Sequence, residues 1–206
     1  MPILRAGSKV LLFVHIPKTG GTSVEKWLRS IGPLSLYAPK RSDFVPCVPQ
    51  HFDTHVYAYL FDGSFFDYSF AVVRNPYERI MSEYKYRIGS KKQTLFTPSF
   101  RRWVRRCFAE YEKNSYLLSN HIRPQTDFLT PDVEIFKLED GFTPVEQRLQ
   151  DVLGVSLVEK IPHTNKSGDR PIEIDSETMD LIYNFYRKDF DAFGYPRNHL
   201  TLEQVA

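Results

Sequence analysis

Lys18-Thr19-Gly20-Gly21-Thr22-Ser23 brings together what a polypeptide uses to hold a phosphate-like anion. Glycines let the backbone bend so that N–H groups converge; the start of a helix adds partial positive charge; Lys18 adds a full one. Upstream, residues 10–16 form an apolar run broken only by His15, the pattern of a buried strand. Downstream, Val24, Trp27, Leu28 and Ile31 recur at helical spacing, and Thr22 or Ser23 stands where it can cap that helix. An ordinary strand–turn–helix with a Gly-Gly turn has the same outline. The ATP-type P-loop requires lysine directly after a glycine and directly before Ser or Thr. Here Lys18 precedes both glycines and Thr22 stands in the lysine's place, so the cradle is not of the Walker kind.

A second anion-holding arrangement follows. Residues 69–73, Ser-Phe-Ala-Val-Val, read as a buried strand running into Arg74-Asn75-Pro76-Tyr77-Glu78. Asn75 as cap, Pro76 at the first helical position and Glu78 three residues after the cap form a helix start. Tyr77, Ile80, Met81, Tyr84 and Ile88 supply its buried stripe and Gly89 ends it. Ser82 then lies two turns in, on the face the cap points along, so Arg74 and Ser82 can grip one anion from two directions. Their place, near the carboxyl ends of adjacent strands, is where parallel sheets bind ligands.

Between the two lies an irregular stretch, residues 33–50, carrying Pro33, Pro39, Pro46 and Pro49. Gln50-His51-Phe52-Asp53-Thr54-His55 follows, with Asp53 or Thr54 as the cap of a short helix through Leu60. Histidine has a pKa suited to taking a proton near neutrality, and His51, between a loop and a short helix, is the candidate base, with His55 its rival. The His-x3-His pair lacks a third ligand nearby, so no metal site is expected. His15 reads as support for the loop. Gln125 reads equally as a group facing substrate and as a plain turn residue.

These residues need elements to position them. Residues 133–138 read as a third strand. Thr97-Pro98 opens a helix with Phe100, Trp103, Val104, Cys107, Phe108 and Tyr111 on one face. Arg101, Arg102, Arg105 and Arg106 crowd the other face, as a solvated basic surface or as a patch for an anionic acceptor. Thr143-Pro144-Val145-Glu146 is a capping box for a helix closing at Gly154, and a last helix spans residues 176–193. Apolar strands alternating with helices predict an α/β fold: a P-loop-like parallel sheet flanked by helices on both faces. At 206 residues, 42% hydrophobic and 25% charged, the chain reads as a single domain over residues 1–206. Its formal net charge of +2 gives no reason to expect nucleic-acid binding. Cys47 and Cys107 fit neither a disulfide framework nor a zinc spacing and are expected as free thiols in a reducing compartment. The apolar run at residues 10–16 is too short to span a membrane and no secretory signal is visible, so a cytoplasmic location is expected. A piece of a larger membrane-anchored protein would read the same.

With both motifs in hand, the chain resembles the sulfotransferases that use 3′-phosphoadenosine-5′-phosphosulfate (PAPS), in particular the carbohydrate, family 2-like branch. Their loop of the type His-x-x-Lys-Thr-Gly-Gly-Thr matches His15-Ile16-Pro17-Lys18-Thr19-Gly20-Gly21-Thr22. Their strand ending in Arg, then Asn/Asp-Pro, then a helix carrying Ser, matches residues 73–82. The resemblance implies PAPS as donor, with Lys18, Thr19, Gly20, Gly21, Thr22 and Ser23 around the 5′-phosphosulfate and Arg74 and Ser82 on the 3′-phosphate. It implies that Asn165, Lys166 and Ser167, in the polar loop 162–171, close over the nucleotide. It also implies a His or Glu base between the two motifs, where His51 lies, a hydroxyl of a carbohydrate or glycolipid as acceptor, and no metal. In-line sulfuryl transfer asks for charge stabilisation on the leaving phosphate, which suits Lys18, and a base for the acceptor hydroxyl. Two readings of other classes stay open at this point: a Mg-dependent P-loop nucleotide kinase, and a non-catalytic module binding adenosine 3′,5′-bisphosphate or a sulfated glycan.

Overall fold

The computed structural model describes residues 1–37, 43–89, 97–156, 159–162 and 172–198. Among them a five-stranded sheet is built from β1 (Ile3–Ala6), β2 (Lys9–Val14), β3 (Leu34–Ser35), β4 (Tyr68–Val73) and β5 (Glu134–Lys137), in the order β3-β1-β2-β4-β5. Its centre is parallel as expected: Phe13 pairs with Phe70 and Ala71 with Ile135. The two strands on the other side are antiparallel additions that the sequence pattern did not reveal. β1 returns against β2 through a turn at Gly7, whose φ of 61° favours glycine, and the two-residue β3 pairs Leu34 with Leu4. Both strands are too short to show an alternation of their own.

The alternation of side chains along β2 and β4 explains the two covered faces. Leu12, Val14, Ala71 and Val73 pack with Tyr57, Phe128 and Phe193; Leu11, Phe13, Phe70 and Val72 pack with Val24, Trp27, Leu28, Val145 and Leu149. The latter face is covered by α1 (Gly21–Ile31) and α5 (Thr143–Leu153); the short α2 (Thr54–Leu60) contributes Tyr57 to the former. A third apolar cluster joins α3 (Pro76–Gly89), α4 (Phe100–Tyr111), α6 (Ser176–Phe185) and α7 (Arg187–Phe193) through Tyr77, Ile80, Val104, Cys107, Ile182, Tyr186 and Phe190.

Several helix ends differ from expectation. α1 begins at Gly20, left-handed with φ 83°, without a side-chain cap; Thr22 is exposed and Ser23 is already inside the helix. α4 is capped by Ser99 rather than opened by Thr97-Pro98. At α5 no side chain caps the start, and the Glu146 carboxylate instead accepts from the Ile161 N–H at 2.6 Å. The single last helix is two, broken at Tyr186, whose ring is fully buried and whose hydroxyl donates to the Ile122 carbonyl. Asp53 caps α2, and Gly154 ends α5 in the left-handed conformation, both as read.

Candidate functional site

The loop after β2 is shaped by two left-handed residues, Lys18 at φ 71° and Gly20 at φ 83°. A lysine pays strain there, and the surroundings hold it. Buried Thr19 donates from Oγ1 to the Ile16 carbonyl at 2.9 Å, and Ser23 N–H donates to the Gly20 carbonyl at 2.9 Å. Gly21 is needed for a different reason: a Cβ there would lie 2.2 Å from the His15 ring. That ring cannot give way easily, because its Nδ1 lies 2.5 Å from Oε1 of Glu25, a buried carboxylate that also accepts from Gln50 Nε2 at 3.0 Å. His15 therefore stands directly behind the glycine turn.

Lys18 is half-buried, with Nζ 4.3 Å above the ring of Tyr86, an exposed side chain on α3. Burial lowers the Lys18 pKa; the Glu83 carboxylate acts the other way, and the Arg74 and Arg87 charges add to the lowering. Thus Arg74 and Lys18, on separate strand ends, lie within each other's electrostatic reach.

Arg74 ends β4, and its backbone is clamped by one buried side chain. Gln125 Oε1 accepts from Arg74 N–H at 2.9 Å, and Gln125 Nε2 donates to the Arg74 carbonyl at 2.8 Å. Buried Asp189 in turn accepts from the N–H groups of Gln125 (2.8 Å) and Thr126 (3.0 Å). Of the two readings of Gln125, a turn residue and a group at the site, the structure shows a clamp on the site's arginine. The expected Glu78 capping box is replaced: the Asn75 N–H donates to Glu139 at 2.7 Å, while Glu78 pairs with the Arg74 guanidinium at 3.3 Å. Asn75 Oδ1 accepts from Tyr77 N–H, starting α3, and Ser82 is buried two turns along it. Asn165, Lys166 and Ser167 lie outside the described residues.

His51 is not on an open loop. It closes a 3₁₀ turn, Pro49–His51, is 9% exposed, and stands between two other imidazoles, His15 at 5.1 Å and His121 at 4.9 Å between ring centroids, both edge to face. Its Nδ1 is 3.1 Å from the Ser119 carbonyl, which can only accept, so Nδ1 carries the hydrogen and Nε2 keeps its lone pair. Burial, then the His121 and His15 rings and the terminal amine, push its pKa well below the usual histidine value, with the Ser119 hydrogen bond opposing. His55 is elsewhere: its side chain is 78% exposed, 4.0 Å from Asp53.

Sequence reasoning missed His121, Glu83, Glu25 and Arg79. His121 Nδ1 lies 2.7 Å from Glu83, whose other oxygen receives Arg87 Nε at 2.6 Å. Buried Arg79 donates to the carbonyls of Pro17 (3.0 Å) and His121 (3.1 Å), tying the glycine loop to the His121 segment. The helical pattern gave no signal for Arg79 and Glu83: they lie on the side of α3 away from its apolar stripe, and the glycine loop and the His121 segment bury them there. For His121 the clue is conformational only. Leu118, Ser119 and Asn120 are successive left-handed residues, at φ 52°, 60° and 68°, which no composition signal announces.

The basic face of α4 is drawn into ion pairs. Arg101 pairs with Asp175 and Glu177, Arg105 with Glu177, and Arg106 with Glu110. Cys47 and Cys107 are buried and in no disulfide, and burial raises Cys107 to about 12. No helix among the described residues is long and apolar enough to cross a membrane.

Lys18, Arg74 and the first N–H groups of α1 thus gather positive charge at the carboxyl end of the parallel strands, and this donor set fits a nucleotide carrying anionic groups at two positions. Neither curated proteins nor solved structures give a match to this chain. The family model described as "Sulfotransferase family" matches residues 1–196. It spans both anion-binding motifs, the histidine cluster and the sheet that positions them, and the chain belongs to the sulfotransferase family, PAPS-dependent enzymes.

Proposed function

We propose that the enzyme moves the sulfuryl group of PAPS onto a hydroxyl of a carbohydrate or glycoconjugate, with His51 as the base. The observation that carries this reading is the state of His51: neutral, buried, with Nδ1 committed to Ser119 and Nε2 left as an acceptor. A general base must have its lone pair free at working pH, and this one does. The donor, when bound, supplies an electrophilic sulfur on a phosphate leaving group. Lys18 neutralises charge on the bridging oxygen, the N–H groups of Thr19, Gly20, Gly21 and Thr22 hold the 5′-phosphate while the Ser23 N–H is turned to the Gly20 carbonyl, and Arg74 and Ser82 hold the 3′-phosphate. A sulfuryl group carries less charge than a terminal phosphoryl group, so the reaction in this reading needs no metal.

A sugar acceptor is supported by the resemblance of both motifs to those of the carbohydrate branch and by exposed Tyr86 beside Lys18 and His121, a ring of the kind that packs on sugar C–H faces. Two buried cysteines that form no disulfide support a reducing compartment, and the cytoplasm is the proposed location. The test is calorimetry with adenosine 3′,5′-bisphosphate beside ATP, then transfer of labelled sulfate from PAPS to a glycan panel. Tight binding of the bisphosphate over ATP and labelling of a glycan are expected; preference for ATP, or transfer only to non-carbohydrate acceptors, overturns the reading.

A further inference from the structure

Three imidazoles stand in a row, His15–His51–His121, with a buried carboxylate at each end, Glu25 on His15 and Glu83 on His121. If His51 takes a proton at Nε2, it becomes an imidazolium whose only named hydrogen-bond partner is a neutral carbonyl, in a buried place where charge is costly. The two outer rings are better provided, since each has a carboxylate within hydrogen-bond distance of its Nδ1. They differ in access. The His15 ring is packed against Gly21 and is 6% exposed, and Glu25 already serves Gln50. The His121 ring is 14% exposed and lies under exposed Tyr86; burial works to raise the Glu83 pKa, but His121 itself and then Arg87 hold it below the usual carboxylate value.

Resting on the assignment of His51 as base, we propose that His121, oriented by Glu83, is a positioning residue that acts through His51 by receiving the proton His51 has taken. The balance is simple. The acceptor O–H bond breaks as an N–H bond forms at His51 Nε2; that N–H bond then breaks as one forms at His121 Nε2, through one water between the two rings. His51 returns to its neutral Nδ1–H form, and the imidazolium of His121, its Nδ1–H held by Glu83, then gives up the Nε2 proton to water at the ring's exposed edge. Holding His121 Nδ1–H on the carboxylate keeps Nε2 as the receiving atom. The strained run Leu118–Ser119–Asn120 serves the same end: it delivers the Ser119 carbonyl to His51 Nδ1, the Asn120 amide to the His51 carbonyl (2.8 Å) and the His121 ring to His51. The groups facing His121 are Glu83, Arg87, Lys18, His51 and Tyr86. Among the described residues no group of three or more His, Cys, Asp or Glu is arranged to hold a metal ion.

The test compares the unaltered enzyme with His121→Ala and Glu83→Gln in steady-state sulfuryl transfer and in calorimetry with adenosine 3′,5′-bisphosphate. His121→Ala is expected to lower kcat about 10-fold or more while KM for PAPS and bisphosphate affinity stay within about twofold, and added imidazole is expected to restore kcat saturably. Glu83→Gln is expected to lower kcat in the same way and to move the acid limb of its pH profile. A folded His121→Ala enzyme with unchanged kcat overturns the proposal, as does a lowered kcat that imidazole leaves untouched. Should Glu83→Gln fail to fold, the imidazole experiment decides alone. An unaltered protein that binds the bisphosphate yet transfers no sulfuryl group removes the functional reading itself, an outcome distinct from loss of the relay in an active enzyme.

Discussion

Replacing Gln125 with alanine removes the only side chain that satisfies both backbone groups of Arg74 named above. The amide is fully buried and makes two bonds, at 2.9 and 2.8 Å, to the N–H and C=O of the same residue. Losing the partner of a buried backbone group costs about 1–3 kcal/mol, so two such groups lose roughly 2–5 kcal/mol after partial relief by water. For a domain of this size that corresponds to a fall in Tm of about 5–15 °C. The functional consequence is separate. Arg74 would no longer be aimed by its backbone, and loss of one charge-assisted bond, about 1.5–3 kcal/mol, weakens adenosine 3′,5′-bisphosphate about 10- to 100-fold. Gln125→Glu sharpens the test: it keeps an acceptor for the Arg74 N–H but sets an acceptor against the Arg74 carbonyl, so it should be no more stable than the alanine variant. Thermal denaturation followed by circular dichroism gives the first quantity and calorimetry the second. A Gln125→Ala protein that melts within about 1 °C of the unaltered one would show that the clamp carries none of the stability assigned to it.

Gly21→Ala should destabilise by about 1–3 kcal/mol in denaturant titration, because the new methyl meets a His15 ring that Glu25 holds in place. Lys18→Met should leave the Tm nearly unchanged while kcat collapses, measured by labelled sulfate transfer; retained turnover would remove Lys18 from the chemistry. Arg79→Met breaks the bonds to the Pro17 and His121 carbonyls together, and both Tm and bisphosphate affinity should fall. The lowered pKa values of His51 and His121 give stability a sign. Below about pH 6.5 the unfolded chain protonates both rings while the folded protein does not, so stability declines as pH drops through that region and levels off above it. Glu83, lowered in the fold by His121 and Arg87 against its burial, adds a further loss in the carboxylate range. Denaturant midpoints at about pH 5 and about pH 7.5 check this, and a higher midpoint at the acid pH would contradict it.

Both strand-to-helix turns, β2 into α1 and β4 into α3, were legible because their determinants are close along the chain. Residues 15–23 carry the turn, the cation and the helix start within a few positions, and residues 73–82 do the same for Arg74 and Ser82. Helix caps fared less well. At Glu78 and Glu146 the expected reciprocal cap lost to partners reached through the fold, Arg74 beside one and the Ile161 N–H beside the other. A carboxylate near a helix start has several donors to choose from, and only packing says which is nearest.

What the amino-acid order determined by itself was the family and the local frame: two strand-to-helix turns carrying Lys18 and Arg74, and a histidine between them. What only the tertiary structure decided was the company that histidine keeps. His121 lies 38 residues from Glu83, and Gln125 lies 51 from Arg74. His15 and His51 meet because Glu25 on α1 reaches both His15 and Gln50. Glycine turns, caps and strand periodicity are short-range properties that adjacent side chains encode. Burial and the meeting of distant groups follow from which strands pair and which helices cover them, and burial is what makes His51 neutral and its neighbours' charges count.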